Sequence, residues 1–345
     1  DEFVQSEIEF NKAAKYKLIK KWFYKYADAY RTKKQYLRAE QMYKATLRFF
    51  NQDKLAGIKY AEMELYDLAN YEKAEEITLR EILDHHINDS DGLLLLGDVY
   101  LEWATEKDPT KFEEAKTRYA ELIQLYGETD LYMSRMMRYF IRTENLLRVL
   151  ELKERFMPKE KSLNAQDWTE LSGFLLDKLY GTLPASEEYL RDKIEDVKEL
   201  LVRAVKADEK NPTALYNLSR YYVNMKNNMK AKSTLEHAIN AFNNLDVVKK
   251  KDVYNQIDSY RLLGEEYIRE KEYLKAQEVL TQGISNYISA HELSGLKGTE
   301  KIGKLYTDMG DINYFITGDL DNALQNYKDS IETFYDTPQI RYKIG

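Results

Sequence analysis

Between Pro212 and Phe242, apolar and small residues recur at helical spacing on both sides of a short polar turn. They are Leu215, Leu218, Ser219 and Tyr222 before the turn, and Ala231, Leu235 and Ala238 after it. This spacing of i, i+3, i+4 and i+7 places each set along one face of a helix. Because the turn at residues 226–229 is short, the two helices must lie antiparallel with their apolar faces in contact. The stretch therefore predicts an antiparallel helix pair.

The same seven offsets return along much of the chain. The copy that matches at every offset consists of Tyr260, Leu263, Gly264, Tyr267, Ala276, Leu280 and Gly283. This pattern resembles the tetratricopeptide repeat (TPR), a helix–turn–helix unit of about 34 residues. The resemblance covers residues 21–345 and implies an all-α fold. That fold is a superhelical solenoid of antiparallel helix pairs, with about eight repeats and enlarged connections.

The repeats are not evenly spaced. From Ala39 to Ala74 the interval is one residue longer than the family period, and extra residues near Pro109 predict an enlarged turn inside the third repeat. A longer insertion at residues 183–188 predicts a lengthened helix in the fifth repeat, with a break near residues 158–190. We therefore expect an N-terminal helix or cap at 1–20 and two TPR-like arrays of about four repeats each, at 21–157 and 158–345.

The last residues, Ile344 and Gly345, fall at the Leu and Gly offsets of a ninth repeat, so the second array is expected to end in mid-repeat. This predicts a piece of a longer protein, whose missing segments could associate it with a membrane. No segment of this chain is apolar enough to predict a transmembrane helix. The chain has no cysteine, which excludes disulfides but leaves the compartment, cytoplasm or periplasm, open.

The sequence carries no recognisable catalytic or cofactor motif. It lacks the glycine-rich phosphate loops and the nucleophile elbow, and without cysteine it has no thiol nucleophile. The four histidines include the neighbours His85 and His86, which point about 100° apart on a helix and cannot share a metal from one face. We therefore predict a protein that is not an enzyme and that binds neither metal nor cofactor.

Tyrosine is unusually frequent, with 29 residues. Eight tyrosines sit at offsets where the family uses an aromatic residue between helices: Tyr30, Tyr43, Tyr100, Tyr119, Tyr222, Tyr267, Tyr314 and Tyr327. These are expected in the core. Tyr24, Tyr66 and Tyr216 fall off the core stripe and are expected to be exposed, where tyrosine favours protein interfaces.

The family resemblance implies partner binding in a concave groove lined by the first helix of each repeat. The candidate groove residues are Tyr24, Lys59, Tyr66, Arg138, Arg142, Tyr216, Arg220, Asn224, Arg261 and Glu265. Arginine and tyrosine on one wall favour an acidic or extended peptide over a small-molecule substrate. The alternative is that these are ordinary solvated residues. One subfamily grips a C-terminal carboxylate with Lys and Asn, but Asp258 and Leu262 stand at two of its positions, which disfavours that clamp.

These observations predict a protein–protein interaction scaffold of a larger assembly. Richness in Lys, Asn, Tyr and Ile is typical of AT-rich bacterial genomes, and the chain resembles repeat scaffolds such as the collar of the spirochaetal flagellar motor. Two alternatives stay open. One is a peptide-sensing regulator. The other is RNA association through the basic N-terminal residues Lys12, Lys15, Lys17, Lys20, Lys21, Lys25, Arg31, Lys33 and Lys34, although the net charge of −7 makes nucleic acid an unfavoured partner.

Overall fold

The computed structural model describes residues 20–50, 53–159, 162–181, 183–184, 186–194, 196–245 and 250–344. Across these ranges the chain forms seventeen α-helices and no β-strand. The chain divides into two compact units, residues 1–155 and 156–345. The cap expected at 1–20 falls almost wholly outside the described residues, as does the ninth-repeat Gly345.

The first unit contains four helix pairs. The helices are α1 (Lys20–Thr32), α2 (Tyr36–Phe49), α3 (Lys54–Glu62), α4 (Tyr71–Ile77), α5 (Ser90–Glu106), α6 (Lys111–Tyr126), α7 (Asp130–Arg142) and α8 (Leu146–Phe156), the last of which reaches the boundary between the units. The described residues include three π-helical turns, and two of them continue α3 and α4, at Met63–Asp67 and Thr78–Leu83.

The second unit contains four further pairs and a last short helix. The helices are α9 (Ala165–Tyr180), α10 (Val197–Ala207), α11 (Pro212–Asn224), α12 (Asn228–Asn243), α13 (Lys250–Arg269), α14 (Tyr273–Ser294), α15 (Glu300–Ile312), α16 (Leu320–Glu332) and α17 (Pro338–Ile344). A 3-10 helix, Glu188–Ile194, precedes α10, and the third π-helical turn, Asn313–Thr317, continues α15.

Helix starts follow the capping residues in the sequence. Asn211 accepts a hydrogen bond from the backbone N–H of Ala214, and Pro212 occupies the first turn, where it has no N–H to leave unpaired. The side chains of Asp53, Asp89, Thr129, Asn164, Asn227, Thr299 and Asp319 cap other helices in the same way. Prediction of helix pairs from periodicity and breakers is thus confirmed.

A close approach between the paired helices repeats three times. A Cβ added at Gly97 would lie 2.5 Å from the Tyr119 ring, and one at Gly310 would lie 2.7 Å from the Tyr327 ring. Gly264 stands in the same relation to Leu280, at 2.5 Å. Gly97 and Gly264 occupy the same repeat offset and their partners another, so in these two repeats the register read from the sequence is the register of packing.

The odd spacings in the sequence have a structural cause. A π-helical turn contains one more residue than the α-helical turn it replaces. The turn Met63–Asp67 lies between Ala39 and Ala74 and accounts for the extra residue there. The turn Asn313–Thr317 does the same in the eighth repeat. It also turns Tyr314 outward, with 47% of its surface exposed, so the prediction of Tyr314 as a core residue is wrong.

Two predictions about the insertions are also wrong. Near Pro109 the connection is only residues 107–110, because the extra residues lengthen α5 and α6 instead of the turn. The residues after Leu183 do not lengthen the next helix. They form the separate 3-10 helix Glu188–Ile194, in which Arg191 bonds to Glu188 and to the carbonyl of Leu179.

Candidate functional site

A polar cleft of about 430 Å³ opens among the first helices of the repeats in the second unit. It is lined by the C-terminal ends of α9 and α11, the middle of α13 and the start of α15. The lining residues are Asp177, Tyr180, Gly181, Arg220, Val223, Asn224, Asp258, Arg261, Leu262 and Lys301. Three predicted groove residues, Arg220, Asn224 and Arg261, are therefore brought together here.

The buried carboxylate of Asp258 organises the floor of this cleft. Its Oδ2 accepts hydrogen bonds from the Tyr216 hydroxyl at 2.5 Å and from the Lys301 ammonium at 2.8 Å. Its Oδ1 accepts one from Arg261 Nε at 2.7 Å. Burial opposes the charge on Asp258, but Arg261 and Lys301 outweigh it and hold the pKa of this carboxyl well below its usual range. Asp258 is therefore ionised, and both of its oxygens accept hydrogen bonds from residues of the cleft.

Arg220 is a cation of the cleft that keeps accessible hydrogen-bonding capacity. Its guanidinium bonds to Asp177 at 2.5 Å and lies 5.4 Å from the centre of the Tyr216 ring. A guanidinium has five N–H donors. Within the described part of the chain Asp177 is its only hydrogen-bond partner, and a quarter of the side chain is exposed (24%). Arg220 can therefore bind a second anionic group from the cleft side without leaving Asp177.

Next to the cleft, two carboxylates on neighbouring helices face one another. Glu265 on α13 pairs with Arg261, while Asp308 on α15 has a buried Oδ2 with no hydrogen-bond partner in the described residues. Burial, with the nearby charge of Glu265, raises the pKa of Asp308 to about 7. This carboxyl therefore titrates near neutral pH.

The first unit shows a comparable chain of ion pairs between successive first helices. Lys59 on α3 donates to both oxygens of Asp28 on α1, at 3.0 and 2.9 Å. Asp98 on α5 accepts from Tyr119 at 2.8 Å and from Arg135 on α7 at 3.1 Å. These pairs hold adjacent repeats together and leave little unpaired charge on this face.

The structure places the remaining predicted groove residues as follows. The Tyr24 hydroxyl donates to Asp53, and Tyr66 is exposed with its hydroxyl 3.4 Å from Asp98. Arg138 is buried and Arg142 is half-buried. Their role in partner binding stays a prediction, but burial leaves Arg138 little surface to offer.

Tyr216 is not exposed. Only 2% of its surface is exposed, and its hydroxyl donates a hydrogen bond to Asp258 inside the fold. The prediction of an exposed Tyr216 is therefore wrong, whereas Tyr24 is half-buried and Tyr66 is exposed. Arg261 is also buried, with 8% exposed, so both residues support the cleft from below.

Sequence reasoning missed three residues of the site: Asp177, Asp258 and Lys301. Asp258 was noticed only as a mismatch to a carboxylate clamp. A usable signal existed, because Asp258 stands between Ile257 and the apolar pair Leu262 and Leu263, three residues before Arg261. An acid within an otherwise buried helix segment needs a cationic partner.

The basic N-terminal residues are only partly described. Lys12, Lys15 and Lys17 lie outside the described residues. Lys20 pairs with Asp53, and Arg31 pairs with Asp67 and Glu62. Two of the proposed nucleic-acid contacts are thus already neutralised by carboxylates of the same chain.

The described ranges contain neither a metal-binding cluster nor a helix that could span a membrane. No group of three or more His, Cys, Asp or Glu residues there is placed to hold a metal ion. No helix among them has the length and apolarity needed to cross a membrane.

Comparison with solved structures identifies similar folds. A chain of the APC/C hetero-tetramer Cut9–Hcn1 matches with a TM-score of 0.57 and 13% identity over 92% of this chain. The human IFIT1 dimer with m7Gppp-AAAA matches with a TM-score of 0.52 and 13% identity, covering 87% of this chain and 68% of that one. The present chain spans about half (54%) of the Cut9–Hcn1 chain.

Sequence comparisons add no closer relative. No family model matches the chain, and no curated protein matches it. At the identities above, the structural likeness establishes the fold alone. The chain is an all-α repeat protein built from the antiparallel helix pairs of tetratricopeptide-repeat solenoids.

Proposed function

We propose that this chain is a non-enzymatic interaction protein that holds a segment of another protein against the first helices of its second unit. The observation that carries the proposal is the polar cleft in which Arg220 keeps accessible donors above a fixed, buried floor. Sites of this kind, concave and rigidly supported, are where ligands bind most often. A preorganised arginine loses little freedom when it captures an anionic group.

The chemistry of the cleft favours an acidic segment. Arg220, Arg261 and Lys301 bring three positive charges, and Asp177 and Asp258 bring two negative ones. Asp177 pairs with Arg220, and Asp258 pairs with both Arg261 and Lys301, so the lining carries one excess positive charge, and Arg220 and the half-exposed Lys301 are the cations that present positive charge to the cleft. A carboxylate approaching Arg220 would form a charge-assisted hydrogen bond, which is among the stronger polar contacts in proteins.

The similar structures support two classes of partner. The Cut9–Hcn1 structure is a hetero-tetramer, which supports assembly with other proteins. The IFIT1 structures contain m7Gppp-AAAA or PPP-AAAA, which supports RNA as the second candidate. We favour a protein partner over RNA, because most cations of the cleft are paired with carboxylates. These carboxylates would repel the closely spaced phosphates of an RNA chain.

The proposed role as a scaffold of a larger assembly rests on the repeat fold and on the sequence. In its more specific form, this proposal assigns the chain to a bacterial motility machine, such as the collar of a flagellar motor. The composition typical of AT-rich bacterial genomes supports it. The peptide-sensing alternative differs in one respect. It requires a change in the dimensions of the protein when ligand binds, which small-angle scattering with and without ligand would detect.

The test is selection from a random-sequence peptide library on the immobilised protein. Enriched sequences are synthesised and their Kd is measured by fluorescence anisotropy for the native chain, for Arg220→Gln and for Arg148→Gln. Arg148 is the matched control, because it is an exposed arginine in the first unit with a single carboxylate partner, Glu151.

We expect acidic sequences to be enriched, with binding weakened about tenfold by Arg220→Gln and unchanged by Arg148→Gln. Enrichment without acidic residues, or equal affinity for both variants, would place the binding site elsewhere. A parallel titration with oligo(A) RNA bearing a 5′ triphosphate decides the second candidate. Binding that persists above roughly 150 mM salt and depends on Arg220 would favour RNA over protein.

A further inference from the structure

A second cleft, of about 350 Å³, adjoins the polar cleft between α13 and α15. Tyr254, Ile257 and Ile302 give it apolar walls, and Thr299 and Glu300 stand at its margin. It shares Asp258 and Lys301 with the polar cleft, so the two depressions are neighbours with a common wall. An apolar side chain of a ligand would be shielded from water here.

Lys301 forms the wall between the two clefts. Its ammonium rests on the Tyr216 hydroxyl at 2.9 Å and on Asp258 Oδ2 at 2.8 Å, while half of its side chain is exposed. The groups beneath it are fixed, because Tyr216 and Asp258 are each only 2% exposed. A ligand can therefore cross above Lys301 without disturbing the buried pair of Asp258 and Arg261.

The distances suit one continuous ligand. Arg220 and Lys301 lie on the same Tyr216 ring, at 5.4 and 5.6 Å from its centre, so their charges are within about 11 Å of each other. Along α13 the residues Tyr254, Asp258 and Arg261 share one face and span about 10 Å at 1.5 Å per residue. An extended peptide advances about 3.3 Å per residue, and its alternate side chains point to the same side.

We infer that the two clefts form one bipartite site for an extended protein segment, in which an acidic side chain binds Arg220 and an apolar side chain enters the cleft beside Tyr254. This inference rests on the proposed function and deepens it. The two side chains must leave the same side of the peptide backbone. They must therefore be two or four positions apart, since a separation of three turns one of them away from the protein.

Charge and shape together argue for this ligand. The polar cleft offers Arg220 to a carboxylate, whereas the apolar cleft provides no cation other than the shared Lys301. A purely acidic segment would leave the apolar cleft filled with water. A nucleic acid would place phosphates against the apolar side chains of Ile257 and Ile302, which offer no hydrogen-bond donor. A protein segment with one group of each kind satisfies both.

The experiment uses synthetic fluorescein-labelled peptides in a Ser/Ala background, each with one Leu and one Glu separated by two, three or four positions. We expect the two-position or four-position peptide to bind about tenfold more tightly than the three-position peptide. Tyr254→Ala should weaken the better peptide about fivefold, and Tyr342→Ala should not. Tyr342 is the control because it is 88% exposed on α17.

Different failures have different meanings. If acidic peptides depend on Arg220 but ignore Leu, its spacing and Tyr254→Ala, the bipartite site is refuted and the proposed function stands. If Arg220→Gln leaves binding unchanged, both are refuted. Tyr254 is only half-buried, so its variant should fold. A circular dichroism melt checks this, and Tyr254→Phe, which keeps the apolar wall and loses only the hydrogen bond to the Lys297 carbonyl, should bind the better peptide as tightly as the native chain.

Discussion

The hydroxyl of Tyr216 donates a 2.5 Å hydrogen bond to Asp258, although the two residues lie 42 positions apart on neighbouring first helices. Lys301, 43 positions further along, bonds to the same carboxylate. One buried acid thus links α11, α13 and α15. The cleft is supported by contacts between three successive repeats, and its geometry depends on their mutual packing.

Asp258→Ala should destabilise the second unit strongly. The substitution leaves the Arg261 guanidinium buried beside Glu265 alone and removes the acceptor of the Tyr216 hydroxyl. Removing one member of a buried ion pair costs about 3–5 kcal/mol, and we expect the lower end of this range because Glu265 still pairs with Arg261. The measurement is the free energy of unfolding from a urea titration followed by circular dichroism.

The matched control is Asp177→Ala. Asp177 also pairs with an arginine of the cleft, but 59% of its side chain is exposed. An exposed pair contributes at most about 1 kcal/mol, so this variant should unfold near the urea concentration of the native chain. Equal losses in the two variants would mean that the Asp258 cluster does not hold the repeats together.

Asp308→Asn should flatten the pH dependence of stability. The folded pKa of Asp308 is raised to about 7 by burial and by Glu265, whereas the unfolded carboxyl has an ordinary pKa near 3.8. Between these values the folded state keeps a proton that the unfolded state releases, so the stability of the native protein falls as pH rises from about 4 to about 7. Above that range both states are ionised and the loss is complete.

Asparagine does not ionise, so the variant escapes this loss. From about pH 4 to about pH 8 the native chain should lose up to about 4 kcal/mol more than Asp308→Asn, measured by urea unfolding at each pH, because about three pKa units correspond to about 4 kcal/mol. The charged groups that act on Asp308 are Glu265 and Arg261 from α13 and Asp311 and Lys304 from α15. Parallel pH profiles for the two proteins would show that Asp308 is ionised normally.

Gly97→Ala should cost more stability than Gly264→Ala. Both substitutions add a methyl group 2.5 Å from a side chain of the paired helix. At Gly97 the obstacle is the ring of Tyr119, which is fully buried and bonded to Asp98, so it cannot move aside. At Gly264 the obstacle is the Leu280 side chain, which is also fully buried but has no hydrogen bond to hold it and can change its rotamer. Overpacking costs about 1–3 kcal/mol, and the gain in helix propensity is about 1 kcal/mol.

We therefore expect a net loss of about 1–2 kcal/mol for Gly97→Ala and a change near zero for Gly264→Ala, measured as the free energy of unfolding. The two substitutions are chemically identical and occupy the same repeat offset. A larger loss at Gly264 would mean that Leu280 is the more constrained partner.

The helix pairs could be predicted from the sequence because each pair is specified locally. Periodicity, capping residues and proline act within a few positions, and the small residues at one offset mark the close approach to the next helix. The one-residue insertions could be counted from the spacing of Ala39 and Ala74. Their form could not be predicted, since a π-helical turn and a longer loop give the same count, and only the former turns Tyr314 outward.

The cleft could be predicted only in part. Arg220, Asn224 and Arg261 follow from the repeat offsets, which place them on the first helices. The burial of Tyr216 and Asp258 depends on Lys301, which arrives in a later repeat after the long helix α14. Tyr216, Asp258 and Lys301 are separated by 42 and 43 positions, more than the family period of about 34, and no local pattern fixes which residues meet across repeats at this spacing.

The turns inside the repeats offer a last test, because most of them place a residue other than glycine in the left-handed conformation. Lys226, between α11 and α12, has a φ of 53° and is exposed, so its side chain contributes little beyond its effect on the backbone. A β-branched residue is strongly disfavoured there, whereas glycine adopts this conformation freely. Lys226→Val should therefore lower the free energy of unfolding by about 1–2 kcal/mol.

Lys226→Gly should leave the free energy of unfolding unchanged or slightly higher, as expected from Gly318 at the corresponding turn of the eighth repeat. Met225→Val, one position earlier and also exposed, controls for the loss of a long side chain. Equal effects of valine at 225 and 226 would contradict the assignment of strain to Lys226.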